Sequence, residues 1–183
     1  MEFLRDTLLY FVIAVCAITD VMYGKIFNKI TYPAIILGLL INLALGMKHF
    51  QSAVIGMIVA FIMFLIVFLI GGLGGGDVKL MTAIGAIKGY PFVMYAAFYS
   101  ALVGGVMSIA IMIWKGKFIR GMRNIFRVIF SYIFSFIFPG VKPLSLNPEE
   151  SERIPFGFAI CLGTLWAVVE FMFNVSIFDY FKI

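Results

Sequence analysis

The chain has 183 residues, 63% of them hydrophobic and 13% charged, with a mean hydropathy of +1.11. Such a composition excludes an ordinary soluble domain. At about 20 residues per crossing it leaves room for roughly six membrane helices in one integral membrane domain over residues 1–183, and little else. The net charge of +5 does not point to nucleic acid, because most basic residues stand between apolar runs, where they orient helices.

A first span is expected over residues 8–22. It does not read as a cleavable signal peptide, since Glu2 and Asp6 precede it and no small-residue cleavage site follows its apolar stretch. Thr19 and Asp20 interrupt its end. Asp20 is either a functional carboxylate at the end of a membrane helix or a residue that has reached the headgroup layer. A second span follows over 30–47, with Pro33 near the helix start, where early N–H groups lack intrahelical partners. Lys48 and His49 close it in a short polar turn. His49, the single histidine, reads as solvated. The third span, 53–70, carries no charge.

The third span leads into Gly71-Gly72-Leu73-Gly74-Gly75-Gly76-Asp77-Val78-Lys79-Leu80. This run sets a carboxylate against a chain that is apolar on both sides, where a charge costs several kcal/mol at least. Its glycines leave room for another backbone to lie alongside, which is what hydrolysis of a peptide bond needs. The alternative is an interhelical loop with Asp77 as the N-cap of the next helix. Helix parity puts Asp20 and Asp77 on the same membrane face.

The fourth helix, 77–87, is short for a crossing at 1.5 Å per residue, and Lys79 and Lys88 near its ends are expected to snorkel outward. A fifth span over 92–114 is followed by Lys115, Lys117, Arg120, Arg123 and Arg127, and cytoplasmic loops carry the Lys/Arg excess. Placing this cluster inside leaves only Arg5, Lys48, Lys88 and Lys182 of the 14 Lys and Arg outside. Both aspartates then face the cytoplasm and both termini lie outside. In 118–138, polar residues fall on one helical stripe, as in an amphipathic helix lying in the headgroup layer; a crossing is the alternative, which charge counting leaves open. A last span follows Pro155-Phe156-Gly157 and ends near Phe173, with Glu170 snorkelling to the far interface. The expectation is an all-α integral membrane protein of about six transmembrane helices plus an interfacial amphipathic helix.

Three elements carry a resemblance. Gly74-Gly75-Gly76-Asp77-Val78-Lys79-Leu80, with Gly85-Ala86 behind it, resembles the signature of the type IV prepilin peptidases and archaeal preflagellin peptidases, intramembrane aspartic peptidases of the GxGD type. Asp20, with Asn28, Thr31 and Pro33, resembles the family's first aspartate and the loop into its second span. Ile154-Pro155-Phe156-Gly157 with Gly163 resembles the element that opens the last span. The likeness runs over most of the chain, from about Ile18 to Gly163. Departures are Ile26-Phe27-Asn28, where the family often has Ile-Pro-Asn, and Phe158, where a second proline is common.

The resemblance implies catalytic Asp20 and Asp77, supported by Gly74, Gly75, Gly76, Lys79, Asn28, Pro155 and Gly157. It implies cleavage of the short basic leader of prepilin-like or preflagellin-like precursors at the cytoplasmic membrane boundary. The paired-cysteine insert of the long, N-methylating members is not in this sequence, which holds only Cys16 and Cys161, so a peptidase-only short form is expected.

The chemistry agrees on its own terms. Two carboxylates brought close cannot both ionise, so one keeps a proton while the other can take one from an attacking water. No metal or cofactor is expected, and HExxH and GxSxG are missing. Beyond the precursor, the expected partner is the lipid bilayer. A small transporter or channel using Asp20 and Asp77 as an ion pathway is the reading from another class. A presenilin-like enzyme is a nearer rival, but its Tyr-Asp and Pro-Ala-Leu elements are not found here.

Overall fold

The computed structural model describes residues 1–114 and 156–173, together with 123, 127, 130 and 131. Six helices are described: α1 (Glu2–Tyr23), α2 (Asn28–Leu45), α3 (Met47–Leu69), α4 (Gly75–Lys88), α5 (Phe92–Trp114) and α6 (Phe156–Phe173), and no strand occurs among the described residues. Four of them, α1, α2, α3 and α5, are long and apolar enough to cross a membrane, while α6 is a shorter apolar helix. The chain is an all-α membrane protein. It divides into two compact units, Met1–Gly104 with Pro155–Ile183, and Gly105–Ile154; the site and its supports lie in the first.

The inward stripe of α1 is periodic: Leu9, Val12, Ile13, Cys16, Ala17 and Asp20 are buried, at the three- and four-residue steps of one helix face. Asp20 is thus carried inward by the register that buries Leu9, Val12 and Ile13 above it. The helix stops at Gly24, whose left-handed φ of 61° suits glycine, and whose N–H caps the Asp20 carbonyl. The buried stripes of α2 (Thr31, Ala34, Gly38, Asn42) and α3 (Ala53, Gly56, Ala60, Phe64) are mostly small. Small residues allow the close backbone approach by which membrane helices pack.

What α2 and α3 pack against is α4, which also touches α1 and α6. From Asp77 to Ile87 only Lys79 escapes burial, as expected of a helix apolar on all sides and enclosed by others. The contact with α3 is backbone on backbone: a Cβ on Gly85 would run into the Gly56 carbonyl. Gly163 of α6 lies against the Ser100 backbone of α5 in the same way.

The far end of α4 is held by Asn42. Its buried Nδ2 donates to the carbonyls of Ala86 and Ile87, at 3.1 and 2.8 Å, and to Gly38 of its own helix at 2.9 Å. Bonds of this kind between membrane helices contribute about 0.6 kcal/mol each on average. Asn42→Leu should therefore lower stability by about 1–2 kcal/mol, read as a lower thermal midpoint in detergent. An unchanged midpoint would mean that these bonds contribute nothing.

Several sequence expectations are corrected. The turn between α2 and α3 is Gly46 alone, at φ 124° and ψ 163°, so Lys48 and His49 belong to the first turn of α3 instead of a polar loop. Helix α2 opens at Asn28, two residues earlier than expected, so Pro33 lies in its second turn, where it removes one backbone hydrogen bond. Lys88 does not reach outward but binds Asp6 at 2.6 Å. Glu170 does not snorkel: it follows Ile160, Gly163, Thr164 and Ala167 on the inward face of α6, is 7% exposed, and lies beside the Tyr99 hydroxyl. The segment 118–138 lies, but for 123, 127, 130 and 131, outside the described residues.

Candidate active site

One ion pair and one longer-range charge interaction orient α1 against α4. Asp6, near the start of α1, binds Lys88 at the end of α4, while Asp20, near the end of α1, is among the charges acting on Asp77 at the start of α4. The helices are therefore antiparallel. With 1.5 Å of rise per residue, the two polar pairs are separated by about 16–21 Å along the helix axes. Parity alone had suggested a shared membrane face; the fold brings the two aspartates into one site.

Each carboxylate is held by a free backbone N–H at the start of a helix, where four such donors have no intrahelical acceptor. Asp77 is the third residue of α4. Its Oδ2 accepts the N–H of the N-cap, Gly74, at 2.9 Å, and its own N–H donates to the Gly74 carbonyl at 3.1 Å. The N-cap is thus Gly74, not Asp77, and the aspartate braces it from one turn inside. Asp20 is held across the molecule: its Oδ2 accepts the N–H of Phe158, in the first turn of α6, at 3.3 Å. Both acids are buried, Asp20 at 8% and Asp77 at 7% exposure. The positive ends of α4 and α6 offset part of the cost of placing two acids there.

The space around the pair is set by glycines. A Cβ on Gly157 would sit 2.8 Å from Asp20 Oδ2 and 2.9 Å from Ile26 Cδ1, and a Cβ on Gly76 would sit 2.9 Å from Ile26 Cβ. Ile26 therefore lies between the start of α4 and the start of α6, filling the gap that the two glycines leave. A Cβ on Gly75 would meet the Phe68 ring at 3.7 Å, an ordinary contact. Lys79 Nζ donates to Asn28 Oδ1 at 2.8 Å and stands 5.6 Å from the centre of the Tyr32 ring, which ties the start of α2 to the first turns of α4. Pro155 lies outside the described residues. No cluster of His, Cys, Asp and Glu able to hold a metal ion occurs among the described residues.

Sequence reasoning missed Ile26, whose only signal was its place between Asp20 and Asn28. It also missed the donor role of the α6 first turn, because nothing local links Phe158 to a residue 138 positions earlier.

The model of the type IV leader peptidase family matches residues 7–109, more than half of the chain, and this range includes both aspartates and the glycine run. The chain belongs to the type IV leader peptidase family. A prepilin leader peptidase/N-methyltransferase of Neisseria gonorrhoeae is 35% identical over 97 residues, covering 49% of this chain and 34% of that protein. The chain thus matches about a third of that relative's length. No solved structure matches it. Within the leader peptidase family match lie Asp20, Asp77, Asn28, Lys79 and the three glycines before Asp77; Gly157 and the donors of α6 lie beyond it.

Proposed function

We propose that this chain is an intramembrane aspartic endopeptidase that removes the short basic leader of type IV prepilin-like or preflagellin-like precursors at the cytoplasmic boundary of the cell membrane. The observation that supports it most is the pairing of two buried aspartates, each anchored through one oxygen to a helix N-terminus and each within electrostatic reach of the other.

In the proposed reaction the pair shares one proton. The ionised carboxylate takes a proton from water as that water attacks the scissile carbonyl carbon. The protonated carboxyl hydrogen-bonds the carbonyl oxygen, and its proton passes to the leaving amine as the C–N bond breaks. The backbone N–H groups of Gly74 and Phe158 fix the two acids throughout. The exposed stretch Gly71–Gly72 and the exposed Gly74 offer a side chain-free edge along which an extended substrate backbone can lie. A precursor fits this site when its apolar segment is embedded and its leader stays on the dyad side of the membrane. The product's new N-terminus is expected to leave unmethylated.

The test is incubation of the purified protein with membrane-embedded precursors, followed by sequencing and mass measurement of the new N-terminus. A cut just before the apolar segment is expected. Failure to cut any precursor of this type by a folded sample overturns the reading, and a methylated product overturns its peptidase-only part. For orientation, a cysteine at exposed Tyr23 should stay unlabelled by an impermeant reagent in intact cells.

A further inference from the structure

At the end of the molecule away from the aspartates, the starts of α1 and α5 and the ends of α4 and α6 border an open cavity of about 500 Å³. That size is within the roughly 300–1,000 Å³ of small-molecule sites. Its polar wall is Arg5, Asp6 and Lys88, and its apolar wall includes Tyr10, Phe92 and Phe171. The polar wall is unbalanced, with two cations and one carboxylate. Lys88 donates to Asp6 Oδ1 at 2.6 Å and makes no other hydrogen bond among the described residues, leaving two of its three N–H donors for a ligand. Arg5 Nε stands 3.9 Å from the same oxygen, too far for a hydrogen bond. This Nε–H is sealed from solvent and so lies out of a ligand's reach; Arg5 lines the cavity through its other atoms.

Two cations against one carboxylate leave the cavity wall net positive, with Lys88 donors to spare, and the strongest complement for such a wall is an anionic oxygen such as a phosphate's. The setting decides what carries that phosphate. Around the cavity Phe3 is 81%, Leu4 53% and Met172 75% exposed, an apolar surface of the kind acyl chains cover in a membrane protein. A ligand with an anionic head and apolar tails uses both walls; a free anion uses one.

We propose that this cavity seats the headgroup of an anionic phospholipid from the leaflet opposite the dyad, its phosphate accepting from Arg5 and Lys88 and an acyl chain lying along Tyr10 and Phe171. The site is separate from the aspartate pair and does not depend on the peptidase reading.

The test uses the full chain, delipidated in detergent and mixed with phosphatidylglycerol, phosphatidylcholine or inorganic phosphate, with bound species counted by native mass spectrometry. One phosphatidylglycerol should be retained, with phosphatidylcholine held about fivefold less, the order expected for one unmatched basic residue. Arg5→Gln should reduce phosphatidylglycerol retention by a similar factor, and Arg5→Lys should restore part of it. Should Arg5→Gln fail to fold, Tyr10→Ala, which alters only the apolar wall, should weaken retention of the same lipid. Equal retention of both lipids, undiminished retention in the folded variants, or displacement of the lipid by inorganic phosphate would each overturn the proposal.

Discussion

Asp20→Asn and Asp77→Asn should each abolish cleavage of a precursor. An amide can neither carry the anionic charge that activates water nor pass the proton to the leaving amine, so each substitution removes a step instead of slowing it. The fold should survive. Asn keeps the shape of Asp, and its carbonyl oxygen can still accept the Gly74 or Phe158 N–H that the native Oδ2 accepts. Asp→Glu should lose on the order of a hundredfold in rate at either position, because one added methylene displaces the carboxylate by about an ångström. His49→Ala, on the exposed first turn of α3, and Glu170→Gln, on the inward face of α6 beside Tyr99, should keep substantial activity. The measurement is the initial rate of leader release by each variant, with thermal melting as the check on folding. Normal rates from a folded Asp77→Asn protein would sink the aspartic-peptidase reading.

Gly157→Ala should be the most damaging single-methyl addition near the site. The new Cβ would meet Asp20 Oδ2 at 2.8 Å and Ile26 Cδ1 at 2.9 Å, both inside ordinary van der Waals contact. The carboxylate is a side chain and can yield, so the strain goes into dyad geometry more than into unfolding. A shift of about an ångström in a reacting group can cost on the order of a hundredfold in rate, while overpacking of this kind costs about 1–3 kcal/mol of stability. The expected result is a large fall in turnover with a modest fall in thermal midpoint. Gly105→Ala is the matched control, since a Cβ there meets nothing within 4 Å; equal rates from the two variants would show that Asp20 is not held by this contact.

Much of this architecture could be read from the chain because membrane helices announce themselves by length and hydropathy, and because a charge inside one is conspicuous. The inward position of Asp20 was also readable, in the three- and four-residue steps from Leu9 to Ala17 that end on it. The role of α4 was less so. Its sequence looks like a short crossing, and only packing reveals that the helix is enclosed by its neighbours. Gly56 and Gly85 carry no message singly; each is required by the other's backbone. The same holds for charges. Lys88 near an interface reads as snorkelling until Asp6, 82 residues away, is found beside it. The donors to Asp20 were equally hidden, since an unsatisfied helix N–H has no signature beyond the helix start itself.

The single-residue turn at Gly46 has a consequence for biogenesis. Helices α2 and α3 leave no loop between them, so they reach the bilayer as one hairpin whose closure costs little chain entropy. If the dyad faces the cytoplasm, as proposed above, the tip of that hairpin is what must be carried across. It consists of Gly46, Met47, Lys48 and His49, so one formal charge is translocated. Insertion of this pair before α4 emerges would leave the small-residue faces of both helices waiting in lipid, and α4 would complete them as it is made.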